Sequence, residues 1–376
     1  MEIVEKYIKG LMEQSTPERP VWNIEKIKQG KKSDWDYIDG CMILGFLEFY
    51  KLRKDKEFLD FSENYVSYRI KEDGSILGYD KENYNLDDVN AGKNLLTLYE
   101  LTKKEKYRLA SFKIYDQVKN QPRTKEGNFW HKLIYPDQVW LDGMYMVLPF
   151  YVKFANLFLE KDEKKAVYED VYRQFFNVEA LLKDSKTGLY YHAYDSSRKM
   201  FWCDKETGLC ENFWLRALGW FSMAMLDSLT LLEDKESKDY KHLLKMFSEF
   251  IKSVIDFQSE SGMWYQLPIF PGREKNYLET SGSAILSYSI LKGVRLGILS
   301  EEYRQKGLKA FEDICKRYLS KEDDHMSLGG ICLVAGLGGK TNRDGSYDYY
   351  MSEPVVKDDA KGTAPFILAY LETGRE

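Results

Sequence analysis

The chain of 376 residues has little that speaks for disulfides, metals or membranes. Its five cysteines, Cys41, Cys203, Cys210, Cys315 and Cys332, are odd in number and form no C-x-x-C pair, and its four histidines make no H-E-x-x-H. Free thiols are therefore expected, with no structural zinc. The longest apolar run, Met144 to Val152, falls well short of the ~18 residues that cross a bilayer, so no membrane partner is expected. The opening MEIVEKYIKGLMEQ threads charges through its apolar positions and carries no signal-peptide core, which points to the cytoplasm. A net charge of -5 offers a polyphosphate no attraction, so nucleic acid is not an expected partner. LVAGLGGKTN ends like a phosphate loop, but Val334 stands where that motif needs glycine.

What the chain does have is bulk: 44% of its residues are hydrophobic and 15% aromatic, enough to bury a large core. Apolar residues recur at helical spacing over twelve segments, at about 1–12, 35–53, 57–72, 86–102, 105–118, 139–160, 163–183, 212–233, 238–258, 278–297, 302–319 and 360–373. Long alternating strand patterns are absent. Long connections at 13–34, 73–85, 119–138, 184–211, 259–277 and 320–359 alternate with turns of two to four residues. Short turns require antiparallel neighbours, so all the long loops fall at one end. The odd-numbered segments from the third onward carry dense charge, as helices with one wet face do. Even-numbered ones such as NFWLRALGWFSMAMLDSL and AKGTAPFILAYLE are apolar almost all round. Six inner and six outer helices make an (α/α)6 toroid, an all-α fold that uses residues 1–376 as a single domain.

A weak internal repeat agrees with hairpins of unequal loop length. DGSILGYD, EGNFWHKL, TGLYYHAY and SGMWYQLP, around Gly74, Gly127, Gly188 and Gly262, each set a glycine before aromatic or apolar residues in a long loop. His131 and His192 hold the same place in two of these loops, where they suit hydrogen bonds to hydroxyls or to a carboxylate. Against the apolar inner segments a few polar residues stand out near the helix starts: Asp36 and Asp39, Asp87 and Asp88, Asp142, Arg216, Glu279 and Lys361.

Asp142 is the strongest signal, the only charge between Asp137 and Lys153, set among Trp140, Leu141, Met144, Tyr145 and Met146. Burial raises a carboxyl by up to ~3 to 5 pH units, whereas a helix N-terminus lowers it by less than one, so an acid that keeps its proton near neutrality is expected. The plainer reading is an N-cap aspartate satisfied by backbone N–H groups. Asp87 and Asp88 supply a second carboxylate pair on another inner helix start, one of them needed only as a cap. Arg216 calls for an anionic partner, either a structural carboxylate or one on the substrate. Trp130, Trp140, Trp202, Trp214, Trp220 and Trp264 cluster in or near the long loops, where they either stack on sugar rings or fill the core.

Taken together, QVWLDGMYM, HKLIYPDQ, NLDDVNAGKNLLTLY, NFWLRALGW and DDAKGTAPFILAYLE resemble the unsaturated rhamnogalacturonyl hydrolases of glycoside hydrolase family 105, and more widely the related unsaturated glucuronyl hydrolases of family 88. The resemblance spans nearly the whole chain. It implies release of a 4,5-unsaturated uronic acid from the non-reducing end of short oligosaccharides, above all unsaturated galacturonyl-rhamnose, by hydration of the C4=C5 double bond. Asp142 would be the general acid and base and Asp87 its assistant. His131, Trp140, Met146, His192, Trp214, Arg216 and Trp220 would line the uronate pocket, with Arg216 as carboxylate clamp, and no cofactor would be needed. The doubled aspartate leaves Asp88 as the rival to Asp87, and Pro149 is placed to kink or shorten the helix that carries Asp142. Two other readings compete: an inverting glycosidase on a saturated glycoside, and a sugar-binding scaffold without catalysis.

Overall fold

The computed structural model describes residues 2–322 and 325–375. Met1, at the head of the first expected helix, and Asp323 and Asp324, within the loop expected over 320–359, lie outside the described residues.

Helices dominate. In chain order they are α1 (Glu2–Glu13), α2 (Ile24–Lys28), α3 (Tyr37–Arg53), α4 (Lys56–Ser67), α5 (Leu86–Asn90), α6 (Gly92–Thr102), α7 (Glu105–Asn120) and α8 (Leu141–Phe158). Then follow α9 (Lys161–Leu182), α10 (Leu215–Leu231), α11 (Lys238–Ile255), α12 (Thr280–Arg295), α13 (Arg304–Tyr318), α14 (Tyr347–Ser352) and α15 (Ala360–Thr373). Setting aside the short α2 and α14, which sit inside long loops, and joining α5 to α6 across Ala91, these are the twelve expected segments. Pro149 does not shorten its helix: α8 runs unbroken past it to Phe158.

Sequence character sorts the helices into two rings. In α1 the buried residues Val4, Tyr7, Ile8 and Leu11 form one stripe, and in α11 Tyr240, Leu243, Phe247, Phe250 and Val254 do the same, so each buries a single face. By contrast α8, α10 and α15 are buried on nearly every side, because each is flanked by two inner neighbours and backed by an outer helix. The inner helices follow one another around the ring as α3, α5–α6, α8, α10, α12 and α15, and α15 closes back on α3. Tyr7 of α1 meets Phe366 of α15 edge-on at 6.3 Å, so the first outer helix lies over the last inner one. Among the described residues, strands are limited to three short antiparallel pairs in the loops. One of them, β1 (Gln138–Trp140) with β2 (Ala193–Asp195), pairs Trp140 with Ala193 and so ties two long loops together.

The repeat is backbone architecture. Gly74, Gly127, Gly188 and Gly262 all take positive φ, and a Cβ on Gly74 or Gly262 would come within 2.7 Å of backbone on the next outer helix. Beyond these turns each loop reaches back to the preceding inner helix. The N–H of the first residue of α5, α8, α10, α12 and α15 donates to the carbonyl of His131, His192, Gln266, Gly330 and Trp22 respectively, at 2.8 to 3.1 Å. Helix termini leave such donors without a partner inside the helix, so these carbonyls cap one helix while fixing the loop of the next.

Candidate active site

This interlock dictates where chemistry sits. The second residue of each capped inner helix is polar, Asp87 in α5, Asp142 in α8, Arg216 in α10, Ser281 in α12 and Lys361 in α15, and in α5, α8 and α15 it meets the loop that caps its helix. Asp87 meets Lys132 at 2.5 Å and His131 at 3.6 Å, Asp142 meets His192 at 3.1 Å, and Lys361 meets Glu25 at 2.6 Å.

Asp142 is not an N-cap. Trp140 holds that position in α8 without a side-chain bond. The Asp142 side chain keeps 15% of its surface open, and its Oδ2 lies 3.1 Å from His192 Nε2. Neither atom completes an aligned hydrogen bond, although both are buried. His192 Nδ1 is held by the Tyr350 hydroxyl at 2.7 Å. Further buried polar atoms at this end have no partner: His131 Nδ1, Trp214 Nε1, Tyr277 Oη and both amide atoms of Gln266. Orphaned groups are costly in a folded interior, and their convergence at one end of the ring marks a surface built to bond something else.

The two neighbouring aspartates differ in kind. Burial alone would raise the Asp87 carboxyl, but Lys132 and His131 outweigh it and hold the group below the usual range. Asp88 turns away to the helix start, where Asn85 caps the Asp87 N–H and donates its amide to Asp88 Oδ1 at 3.0 Å. Burial and the charge of Asp87 push Asp88 up to about 7. His131 is pushed down to about 4, chiefly by burial, and is a neutral ring at neutral pH. It fits because Gly143 follows Asp142: a Cβ there would lie 2.8 Å from His131 Nδ1.

Aromatic rings wall the cluster. Trp140 stacks with His131 at 4.7 Å and with Tyr135 at 5.1 Å, both at 12°, and meets His192 edge-on at 5.5 Å. Trp214 lies 4.8 Å from His192. Met146 is buried one turn below Asp142 on the same helix face. Two further expected pocket residues pack on aromatic rings of the inner helices. Trp220 stacks on Tyr145 at 4.9 Å, deeper in the ring and apart from the histidine cluster. Arg216 lies over Trp214 at 4.6 Å, but its guanidinium donates to Ser281 Oγ and to the carbonyls of Cys332 and Leu333. Its protein partners are thus neutral acceptors, and its Nε–H and one Nη2 hydrogen make no hydrogen bond among the described residues.

Tyr350, Gln266, Tyr277 and Lys132 belong to the cluster without having stood out in sequence as site residues. Gln266 had a signal, since it occupies the position of His131 and His192, four residues after the repeat glycine. Tyr350 had none, because only the fold brings the 320–359 loop over His192.

The family model for Glycosyl Hydrolase Family 88 matches residues 8–376. A solved glycoside hydrolase from family 105 of C. acetobutylicum is 42% identical, with a TM-score of 0.88 over 98% of this chain and 99% of that one. Among curated proteins, Protein Atu3128 of Agrobacterium fabrum is 37% identical over 61% of this chain and 98% of its own length. The unsaturated rhamnogalacturonyl hydrolase YesR of Bacillus subtilis is 27% identical over 74% of this chain and 76% of its own. An unsaturated glucuronyl hydrolase from Bacillus sp. GL1 shares the fold, with a TM-score of 0.66 at 14% identity over 92% of this chain and 88% of that one. With the toroid and its open polar cluster in place, these matches make the chain a glycoside hydrolase that belongs to glycosyl hydrolase family 88, together with its family 105 relatives.

Proposed function

We propose that the enzyme removes a 4,5-unsaturated uronic acid from the non-reducing end of short oligosaccharides, with unsaturated galacturonyl-rhamnose as its substrate. The observation that carries this reading is a carboxyl group at the mouth of the ring that caps nothing and faces a histidine nitrogen, Nε2 of His192, that is equally unpartnered. The name of the Bacillus subtilis relative supports the substrate class.

In this reading Asp142 donates a proton to C4 of the conjugated enol ether, and positive charge develops at C5. The resulting carboxylate takes a proton from water as its oxygen bonds to C5. The C5 hemiketal opens to a ketone, which turns C1 into a hemiacetal that expels the neighbouring sugar. One residue acts in turn as acid and base. Asp87, held ionised by Lys132, supports the charge that builds beside it, and neutral His131 offers a hydrogen bond to a hydroxyl. Trp140, Trp214 and Met146 supply apolar wall to the sugar, while Trp220 backs them from below. Arg216 acts as a fixed positive charge behind Trp214, drawing the uronate carboxylate by its field. Five unpaired cysteines, four of them buried, agree with work in the cytoplasm.

The test follows the ultraviolet absorbance of the double bond. The wild-type enzyme should consume unsaturated galacturonyl-rhamnose, leave its saturated analogue untouched, and lose about 10³-fold in kcat as Asp142→Asn with substrate binding retained. Turnover of the saturated analogue would favour an inverting mechanism instead, and an active Asp142→Asn would remove Asp142 from the chemistry.

A further inference from the structure

Tyr350 comes from α14, far from α8 in sequence, yet its side chain is fully buried and its hydroxyl lies 2.7 Å from His192 Nδ1. That is the one hydrogen bond the hydroxyl makes among the described residues, and it decides a tautomer. If the phenol donates, Nδ1 accepts and the ring proton of neutral His192 sits on Nε2. If Nδ1–H donated instead, the phenolic hydrogen would be stranded in the interior, at a cost of ~1 to 3 kcal/mol. Donor counting therefore puts the imidazole proton on Nε2, the nitrogen 3.1 Å from Asp142 Oδ2.

We infer that Tyr350 is a positioning residue: by fixing the Nε2–H tautomer of His192 it reserves Asp142 Oδ2 as an acceptor, so that the proton delivered to substrate resides on Oδ1. This deepens the proposed function and rests on Asp142 being the acid. The same N–H favours the carboxylate left after proton delivery, the form whose charge grows in the transition state. The loose alignment of the pair is ordinary for catalytic hydrogen bonds, which commonly tighten only with substrate bound.

The surroundings leave the tautomer to Tyr350. Burial raises its phenol well above the ordinary value, so it keeps its proton. Cys210 and Cys332, whose charge would act on it, are pushed up to about 11 by burial and stay uncharged. Besides Asp142 on α8, the titratable and charged groups around the histidine are neutral His131 in the preceding loop, the closed Asp87–Lys132 ion pair beyond it, and the Arg216 guanidinium on the far side of Trp214.

Two measurements test the assignment. In Tyr350→Phe, kcat should fall 10- to 100-fold with KM changed less than about two-fold. The alkaline limb of the rate profile should also move to higher pH, because a carboxylate that loses an N–H donor is less favoured. A variant damaged only in packing would lose rate with the limb in place. Independently of folding in any variant, 15N spectra of the histidines of the unliganded wild-type enzyme should show His192 protonated on Nε2. A proton on Nδ1, or a Tyr350→Phe enzyme with unaltered rate and limb, overturns the inference. An active Asp142→Asn enzyme would instead bring down the reading on which it rests, whatever the tautomer.

Discussion

The two ends of the inner ring use similar side chains to opposite effect. At the closed end a cavity of about 150 Å³ is lined by residues from all six inner helix positions, among them Glu48, Lys51, Lys93, Lys153, Asp227 and Lys292. Every one of these charges is engaged: Lys51 with Glu48 at 2.8 Å, Lys153 with Glu100 at 2.6 Å, Lys292 with Asp227 at 2.7 Å, and Lys93 with the Tyr145 carbonyl at 3.0 Å. At the loop end, carboxylate, imidazole, indole and amide atoms converge with bonding capacity left open. Saturation marks the end that holds the ring together, and open capacity marks the end that meets substrate.

Breaking the loop end should show mainly in rate. Asp87→Asn should cost about 100-fold in kcat/KM, since it removes the charge that Lys132 pairs with and that His131 faces, and steady-state assays on the unsaturated disaccharide measure it. Gln266→Ala, which deletes two unpartnered amide atoms, should raise KM about five-fold with kcat within two-fold, the loss of roughly one hydrogen bond of ~1 kcal/mol. An unchanged KM would exclude Gln266 from the sugar site.

Breaking the closed end should show in stability. Pro149 has no N–H to offer the carbonyl one turn back, that of Tyr145, and Lys93 Nζ supplies the missing donor while lying 3.4 Å from the Tyr145 ring. Burial pushes Lys93 down to about 7, a cost to wild type that grows as pH falls from 10.5 and that methionine removes, so Lys93→Met should lose ~1 to 3 kcal/mol by denaturant unfolding near pH 10 and less toward pH 7, with kcat within two-fold. Pro149→Ala restores an N–H for that carbonyl, so the double variant should recover part of the loss; equal losses with and without Pro149→Ala would disconnect the two residues.

How much of this was readable beforehand follows from the kind of information each feature uses. Helix number, order and inner or outer character depend on apolar periodicity within single segments, and the twelve segments lie close to the helices found. Asp142 was legible because one charge in a long apolar stretch is a local anomaly. A further local signal went unread: N-L-D at 85, W-L-D at 140 and W-L-R at 214 put Asp87, Asp142 and Arg216 at the same second helical position. The partners of Arg216 were not legible, since Cys332 and Leu333 reach it only through the path of a long loop. Trp220 shows the limit of composition, because an aromatic two turns into an inner helix is equally at home in a pocket wall or in the layer below it.

Asp88 offers the finest separation of the two roles within one end. Its carboxyl is pushed up to about 7 from an ordinary 3.8, chiefly by burial and then by Asp87. Between those values the folded chain holds a proton that the unfolded chain has released, so Asp88 lowers stability progressively as pH rises from about 3.8 to about 7 and no further above that. His131, pushed down to about 4, has a slope of opposite sign from there to 6.5, but it is present in wild type and variant alike and cancels in their difference. Asparagine keeps an oxygen for the Asn85 amide and does not titrate. Asp88→Asn should thus match wild type near pH 4, melt a few degrees higher at pH 8, and keep kcat within two-fold. The first turn of α5 favours an anion by only ~0.3 to 1 kcal/mol, too little to reverse that order unless Asp88 is far better solvated than its place beside Asp87 allows. A variant that melts lower than wild type at pH 8 would mean that the helix start needs the charge, and that Asp88 is ionised there rather than holding its proton toward 7.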